Sequence, residues 1–244
     1  MNDPPLASLS LTHVHYNPVD RLSYICAWLA LVPQALCVIY VTLIWSTREV
    51  EILLMFAGQM ACEALNWGLK RWIKEERPRQ MNGKGYGMPS SHAQFVTFFS
   101  LSLSLFLLLR HNPSSRPPPQ TQQQQPYSHN PLPFTHRLAI SVLSIVSAGV
   151  VATSRIYLNY HTPRQVMVGC FAGAVCAVGW FIVTGLLRRW GVVEWGLELG
   201  IARWARMRDL VVEEDLVEGG WRRWEERRRV RLRVRDDGGG KKGR

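Results

Sequence analysis

The 244 residues include five cysteines, with no CxxC pair and no Cys/His cluster. That argues against a disulfide framework or a zinc site. Cys26, Cys37, Cys62, Cys170 and Cys176 all lie inside apolar blocks and read as small buried apolar side chains. No internal repeat is present. Acidic side chains are few, 18 Asp and Glu against 29 Lys and Arg for a net charge of +11. Charge is scarcest where apolar residues are densest, and Tyr24–Ser46 carries none. This segregation excludes ordinary globular mixing and wholesale disorder alike.

The apolar blocks have the length of membrane spans, since a bilayer core takes about 17–25 helical residues. Tyr24–Ser46, Val50–Leu69, Ala93–Leu109, Leu138–Thr153 and Gln165–Leu187 are five in succession, so an all-α polytopic bundle is expected. Buried soluble helices are the alternative for the short ones. Met1–Arg21 is polar and no convincing cleavage site follows, so the first block reads as a span rather than a leader. The chain divides into residues 1–23, a membrane domain at 24–187 and a basic tail at 188–244. A Pro/Gln-rich loop at 110–136, with SSRPPPQTQQQQP at its heart, is expected to be disordered.

The tail stretch Trp221–Arg235 interleaves aromatics with cations. Contact with an anionic membrane face or a plain solvated tail accounts for it, and no nucleic-acid partner is expected. Gly191–Ala205 reads as one short amphipathic helix along the interface. Of the 29 Lys and Arg, 20 fall on the side shared by the tail and the Pro/Gln loop. The positive-inside rule puts that side in the cytoplasm.

The remaining polar residues converge on the other side. Gln59, Glu63, Asn66 and Lys70 recur at helical spacing and form one face of the second span. Extending that helix to Pro78 puts Arg77 two turns beyond Lys70 on the same face. The two cations could grip one anion, or snorkel to lipid headgroups. In Gly85–His92, GYGMPSSH, Ser91 and Gln94 read as a capping box opening the third span. Its free N–H groups suit phosphate, and His92 lies in that first turn. Arg155 ends the fourth span. Thr162, Pro163 and Gln165 read as N-cap, N1 and N3 of the fifth, with His161 just before them. Two helix starts, two histidines and Lys70, Arg77 and Arg155 at one interface point to phosphoryl transfer.

These residues resemble three signatures of the type 2 phosphatidate phosphatase superfamily. They are Lys70-x6-Arg77-Pro78, Pro89-Ser90-Ser91-His92 and Ser154-Arg155-x5-His161. LTHVHY (11–16), LNWGLK (65–70), YGMPSSH (86–92) and SRIYLNYHT (154–162) are similar to its dolichyldiphosphatase branch. So are Ser91, where the superfamily usually has Gly, and Gln165, where it usually has Asp. The Pro/Gln insert is not part of the pattern.

The resemblance implies metal-independent hydrolysis of dolichyl diphosphate at the lumenal face of the endoplasmic reticulum, recycling the carrier for protein N-glycosylation. It implies no cofactor, a polyprenyl diphosphate as substrate and the bilayer as setting. His161 would be the nucleophile and His92 the general acid and base. Lys70, Arg77 and Arg155 would neutralise phosphoryl oxygens, aided by N–H groups at Ser90–His92 and the Ser90 hydroxyl. Gln165 would orient His161. The alternatives are phosphatase action on another lipid phosphate, a lipid scramblase using the cations only to bind headgroups, and a membrane-tethered scaffold.

Overall fold

Among the described residues, five helical segments are long and apolar enough to cross a membrane. The computed structural model describes residues 7–9, 14–78, 85–111, 132–212 and 216–239. The first span, Arg21–Thr47, is two helices, α1 (Arg21–Leu29) and α2 (Val32–Thr47). They break at Ala30–Leu31, just before Pro33, which cannot supply an amide hydrogen to continue the ladder. The other spans are α3 (Val50–Ile73), α4 (Ser91–Leu105), α5 (Phe134–Tyr157) and α6 (Pro163–Arg189). A π-helical turn, Phe106–Arg110, extends α4. Strands β1 (Ala7–Leu9) and β2 (Val14–Tyr16) pair antiparallel ahead of α1, with Ser8 opposite His15.

The most enclosed span is α4, more than half buried, while the others show most of their surface outward. An apolar exterior is the solution a lipid solvent imposes. Interhelical contact then depends on small residues. A Cβ on Gly169 would lie 2.6 Å from the Ser90 carbonyl oxygen. Only glycine lets α6 lie this close to the start of α4.

Several expectations need correction. The fourth span is longer than Leu138–Thr153, because Phe134–Arg137 and Ser154–Tyr157 also belong to α5. Arg110 and Phe134–His136 are therefore helical rather than loop. Residues 112–131, the body of the Pro/Gln segment, lie outside the described residues. The expected helix from Gly191 to Ala205 is two, α7 (Val192–Glu198) and α8 (Gly200–Trp204), separated at Leu199 by extended backbone. Helix α9 (Leu216–Gly239) contains the Trp–Arg stretch.

The chain order fixes which ends meet. The starts of α1, α4 and α6 share one end of the bundle with the finishes of α3 and α5. The opposite end holds Arg48–Glu49, Arg110–His111 and the beginning of the tail. There Glu51, buried in α3, accepts from Arg110 Nη1 and Arg188 Nη2, both at 2.6 Å. Arg188 also pairs with Asp209. Glu49 is fully buried and accepts from Arg208 Nε at 2.7 Å and from the amides of Leu210 and Val211 at 2.8 and 3.0 Å. The first tail residues are thus built into the bundle.

Candidate active site

Helix α3 does not run on to Pro78. It stops at Ile73, and Lys74 takes a left-handed cap at φ 53° that donates to the Lys70 carbonyl. Arg77 therefore does not share a helical face with Lys70. The returning loop carries it to the site instead, close enough for its charge to act on His161. The stripe itself splits. Gln59 and Asn66 are buried against α4, with Asn66 Nδ2 donating to Gln94 Oε1 at 2.6 Å. Lys70 reaches past them and donates to Ser91 Oγ at 3.4 Å.

The start of α4 also departs from expectation. Its N-cap is Ser90, with no side-chain cap bond. Ser91 and Gln94 form no capping box, because Gln94 is fully buried and donates to the Cys62 carbonyl at 2.9 Å. The Ser90 amide is already spent on the Gln165 carbonyl at 3.1 Å. The amides of Ser91 and His92 belong to a first turn that lacks intrahelical acceptors. Ser90 Oγ is buried and, among the described residues, without a hydrogen-bond partner. Such an orphan is costly unless a ligand completes it.

Arg155, in the last turn of α5, is 2% exposed. Its Nη2 donates to the Cys26 carbonyl at 2.7 Å and to Ser154 Oγ at 3.1 Å. His92 lies across from it, with Nε2 3.1 Å from the Ala30 carbonyl at the α1–α2 break. A carbonyl only accepts, so Nε2 carries the hydrogen and Nδ1 keeps its lone pair. The break exposes the carbonyl that holds His92.

His161 is held from several directions. The Tyr160 and His161 amides both turn back onto the Arg155 carbonyl. The Tyr160 hydroxyl accepts from the His15 amide at 2.8 Å, so the hairpin braces this loop. Thr162 and Gln165 make the expected capping box. The same Gln165 Oε1 lies 3.3 Å from His161 Nδ1. Gln165 Nε2 donates to Glu75 Oε1 at 3.0 Å and to the Glu76 carbonyl at 2.9 Å. A Cβ on Gly87 would sit 2.8 Å from that amide, so a side chain there would displace it. Glu75 is the residue that sequence reading missed. No local spacing announces a contact across ninety positions.

Burial lowers the His161 pKa most, followed by the Arg77 charge, against an opposing pull from Gln165, leaving it at about 4. The ring is neutral at pH 7. With Nδ1 hydrogen directed at Gln165, Nε2 offers a lone pair. Burial likewise lowers the Arg77 pKa, and its Nε is buried without a partner. Among the described residues, Lys70, Arg77 and Arg155 make no ion pair with a carboxylate, and no three His, Cys, Asp or Glu side chains gather as a metal site would require.

A neutral histidine, a second histidine and cations without a carboxylate partner among the described residues, at one end of a membrane bundle, suit a phosphatase of the lipid-facing class. The chain belongs to the PAP2 superfamily, whose model matches residues 49–189. It is 52% identical to a protein of Neurospora crassa named putative dolichyldiphosphatase, over 96% of this chain and 97% of that one. It is 38% identical to human dolichyldiphosphatase 1 over 72% of this chain and 71% of the human one. It is 29% identical to dolichyldiphosphatase of Saccharomyces cerevisiae over 85% and 82%. No solved structure matches the chain.

Proposed function

We propose that the chain hydrolyses dolichyl diphosphate to dolichyl phosphate and inorganic phosphate, with His161 as nucleophile. The observation that carries this reading is the set of buried and half-buried cations around a neutral His161, none of them ion-paired to a carboxylate among the described residues. Uncompensated charge in a low-dielectric site is expensive, and a diphosphate is the anion that would balance it.

His161 Nε2 attacks the terminal phosphorus while the bond to the bridging oxygen breaks. Dolichyl phosphate leaves with the proton that His92 Nδ1 had taken up from the bound diphosphate. Nδ1 is the nitrogen left to exchange that proton. His92 then accepts a proton from water as its oxygen attacks phosphorus. The phosphorus–nitrogen bond breaks, releasing phosphate and neutral His161. Lys70, Arg77 and Arg155 offset the phosphoryl oxygens throughout, with the Ser90 hydroxyl and the Ser91 and His92 amides as neutral donors. Gln165 holds the His161 ring.

An apolar groove of about 550 Å³ supports a long-chain lipid substrate. It lies between α1–α2, α4 and α5, lined among others by Leu29, Val32, Val96, Phe99, Leu143 and Val151. Val96 is one helical turn beyond His92 and Val151 one turn before Arg155. The groove thus opens beside the phosphate site, where the first isoprene units would lie. The names of the relatives and the cation-rich opposite end support placing the site at the lumenal face of the endoplasmic reticulum, with the tail cytoplasmic. Recycling of the carrier for N-glycosylation would follow.

The test is phosphate release by purified protein in detergent with excess EDTA, offered dolichyl diphosphate, dolichyl phosphate, phosphatidate and a sphingoid-base phosphate. The diphosphate should be turned over fastest, and EDTA should leave the rate unchanged. Preference for a monophosphate would overturn the substrate assignment. Loss on chelation with rescue by magnesium would overturn the mechanism.

A further inference from the structure

We propose that Glu75 is a positioning residue for His161, acting through Gln165; this rests on the reading of His161 as nucleophile. The Gln165 side chain is fully buried and sits between two sets of partners. On one side are acceptors only, Glu75 Oε1 at 3.0 Å and the Glu76 carbonyl at 2.9 Å. On the other are the Thr162 amide at 3.2 Å and His161 Nδ1 at 3.3 Å. A carboxylate cannot donate to an amide, so Glu75, together with the Glu76 carbonyl and the Thr162 amide, requires the Gln165 NH2 to face it. The Gln165 oxygen must then face the imidazole. An oxygen there accepts the hydrogen of Nδ1, which leaves Nε2 bare. Were the amide reversed, its NH2 would meet Nδ1 and favour the opposite tautomer, whose Nε2 carries a hydrogen and cannot attack.

The carboxylate has a second effect. As Nε2 bonds to phosphorus, the ring with its Nδ1 hydrogen becomes cationic. Arg77 and Lys70 both oppose positive charge on this ring. An anion one amide away offsets that opposition when the charge forms. Glu75 is set for the task by its backbone as well, since its carbonyl accepts from the Gly87 amide at 2.7 Å and ties the two limbs of the loop together.

The test uses full-length protein in detergent with 15N-labelled histidine, assigned by comparison with His161→Ala. Wild type should show His161 with hydrogen on Nδ1. Glu75→Ala should populate the Nε2 form and lower kcat about ten- to a hundredfold, with KM within about twofold. Glu75→Gln is nearly isosteric and keeps an acceptor but not the charge, so it should keep the tautomer and lose roughly three- to tenfold in kcat. An unchanged tautomer and kcat in Glu75→Ala would overturn the proposal. So would a change confined to KM, which would mean that Glu75 meets substrate. Should Glu75→Ala not fold, Glu75→Gln decides, and wild-type kcat there would overturn the role of the charge. The nucleophile reading fails separately, by sustained turnover in His161→Ala, and the tautomer measurement does not depend on it.

Discussion

The two ends of the bundle treat buried charge in opposite ways. Away from the site, Glu51 holds Arg110 and Arg188, and Glu49 gathers Arg208 and two tail amides. At the site, Lys70, Arg77 and Arg155 lie among histidines, backbone carbonyls and hydroxyls. Both ends incur the desolvation of cations. Among the described residues, only the first offsets it with direct ion pairs. A latch can be closed by its own carboxylates, but a site for a diphosphate must keep its cations unneutralised. The orphaned Ser90 Oγ belongs to the same pattern.

The sharpest way to break this contrast is at His161. His161→Ala should lower turnover by at least about a thousandfold, the scale of losing a nucleophile. Substrate affinity, measured by direct binding, should hardly change because the cations remain. Retention of more than about a tenth of the activity would make the histidine structural and favour lipid scrambling. Arg155→Ala should cost about a hundredfold and weaken binding as well, as expected for one charged donor. A kinetic effect on kcat alone would show that Arg155 does not meet the ground-state phosphate.

The paired end should respond in stability rather than chemistry. Glu51→Ala leaves Arg110 and Arg188 without their shared carboxylate, at a cost of about 3–5 kcal/mol. Thermal unfolding in detergent should report it, while activity per folded molecule stays near wild type. A specific loss of turnover with unchanged stability would mean that the ends are coupled.

Much of this was legible in the sequence, for identifiable reasons. Hydropathy located all five spans because lipid accepts little else. The Thr162–Gln165 cap was readable because both partners lie within one turn. Arg77 was misplaced because nothing in Trp72–Ile73–Lys74 announces a left-handed cap on a lysine. The Ser91–Gln94 cap failed because Gln94 finds Asn66 and Cys62 across the helix interface. Pairings such as Glu51 with Arg110 and Arg188 join distant positions, and a single sequence carries no sign of them.

Protonation offers a gentler probe. His161 goes from 6.5 unperturbed to about 4 in the fold. Its neutral form is the one buried, so the stability it contributes is full above about pH 6.5 and is lost as pH falls towards 4. An NMR titration of the free protein should find that midpoint, and Arg77→Ala should raise it by removing a nearby cation. A midpoint near 6.5 in wild type would show that the ring is neither buried nor beside the Arg77 charge. The smallest effect is expected from deleting residues 114–130. Their flanks, His111 and Leu132, lie at the paired end, so turnover at equal expression should stay within about twofold. A tenfold drop would place that segment at the site.

The central claim, covalent phosphoryl transfer to His161, is open to one direct measurement. Brief exposure to dolichyl diphosphate labelled in its terminal phosphate, followed by rapid denaturing quench, should leave label on the protein. The account predicts acid-labile, base-stable label on His161 that is absent from His161→Ala. Turnover without any trapped label at the shortest quench times, or label that persists in His161→Ala, would contradict it.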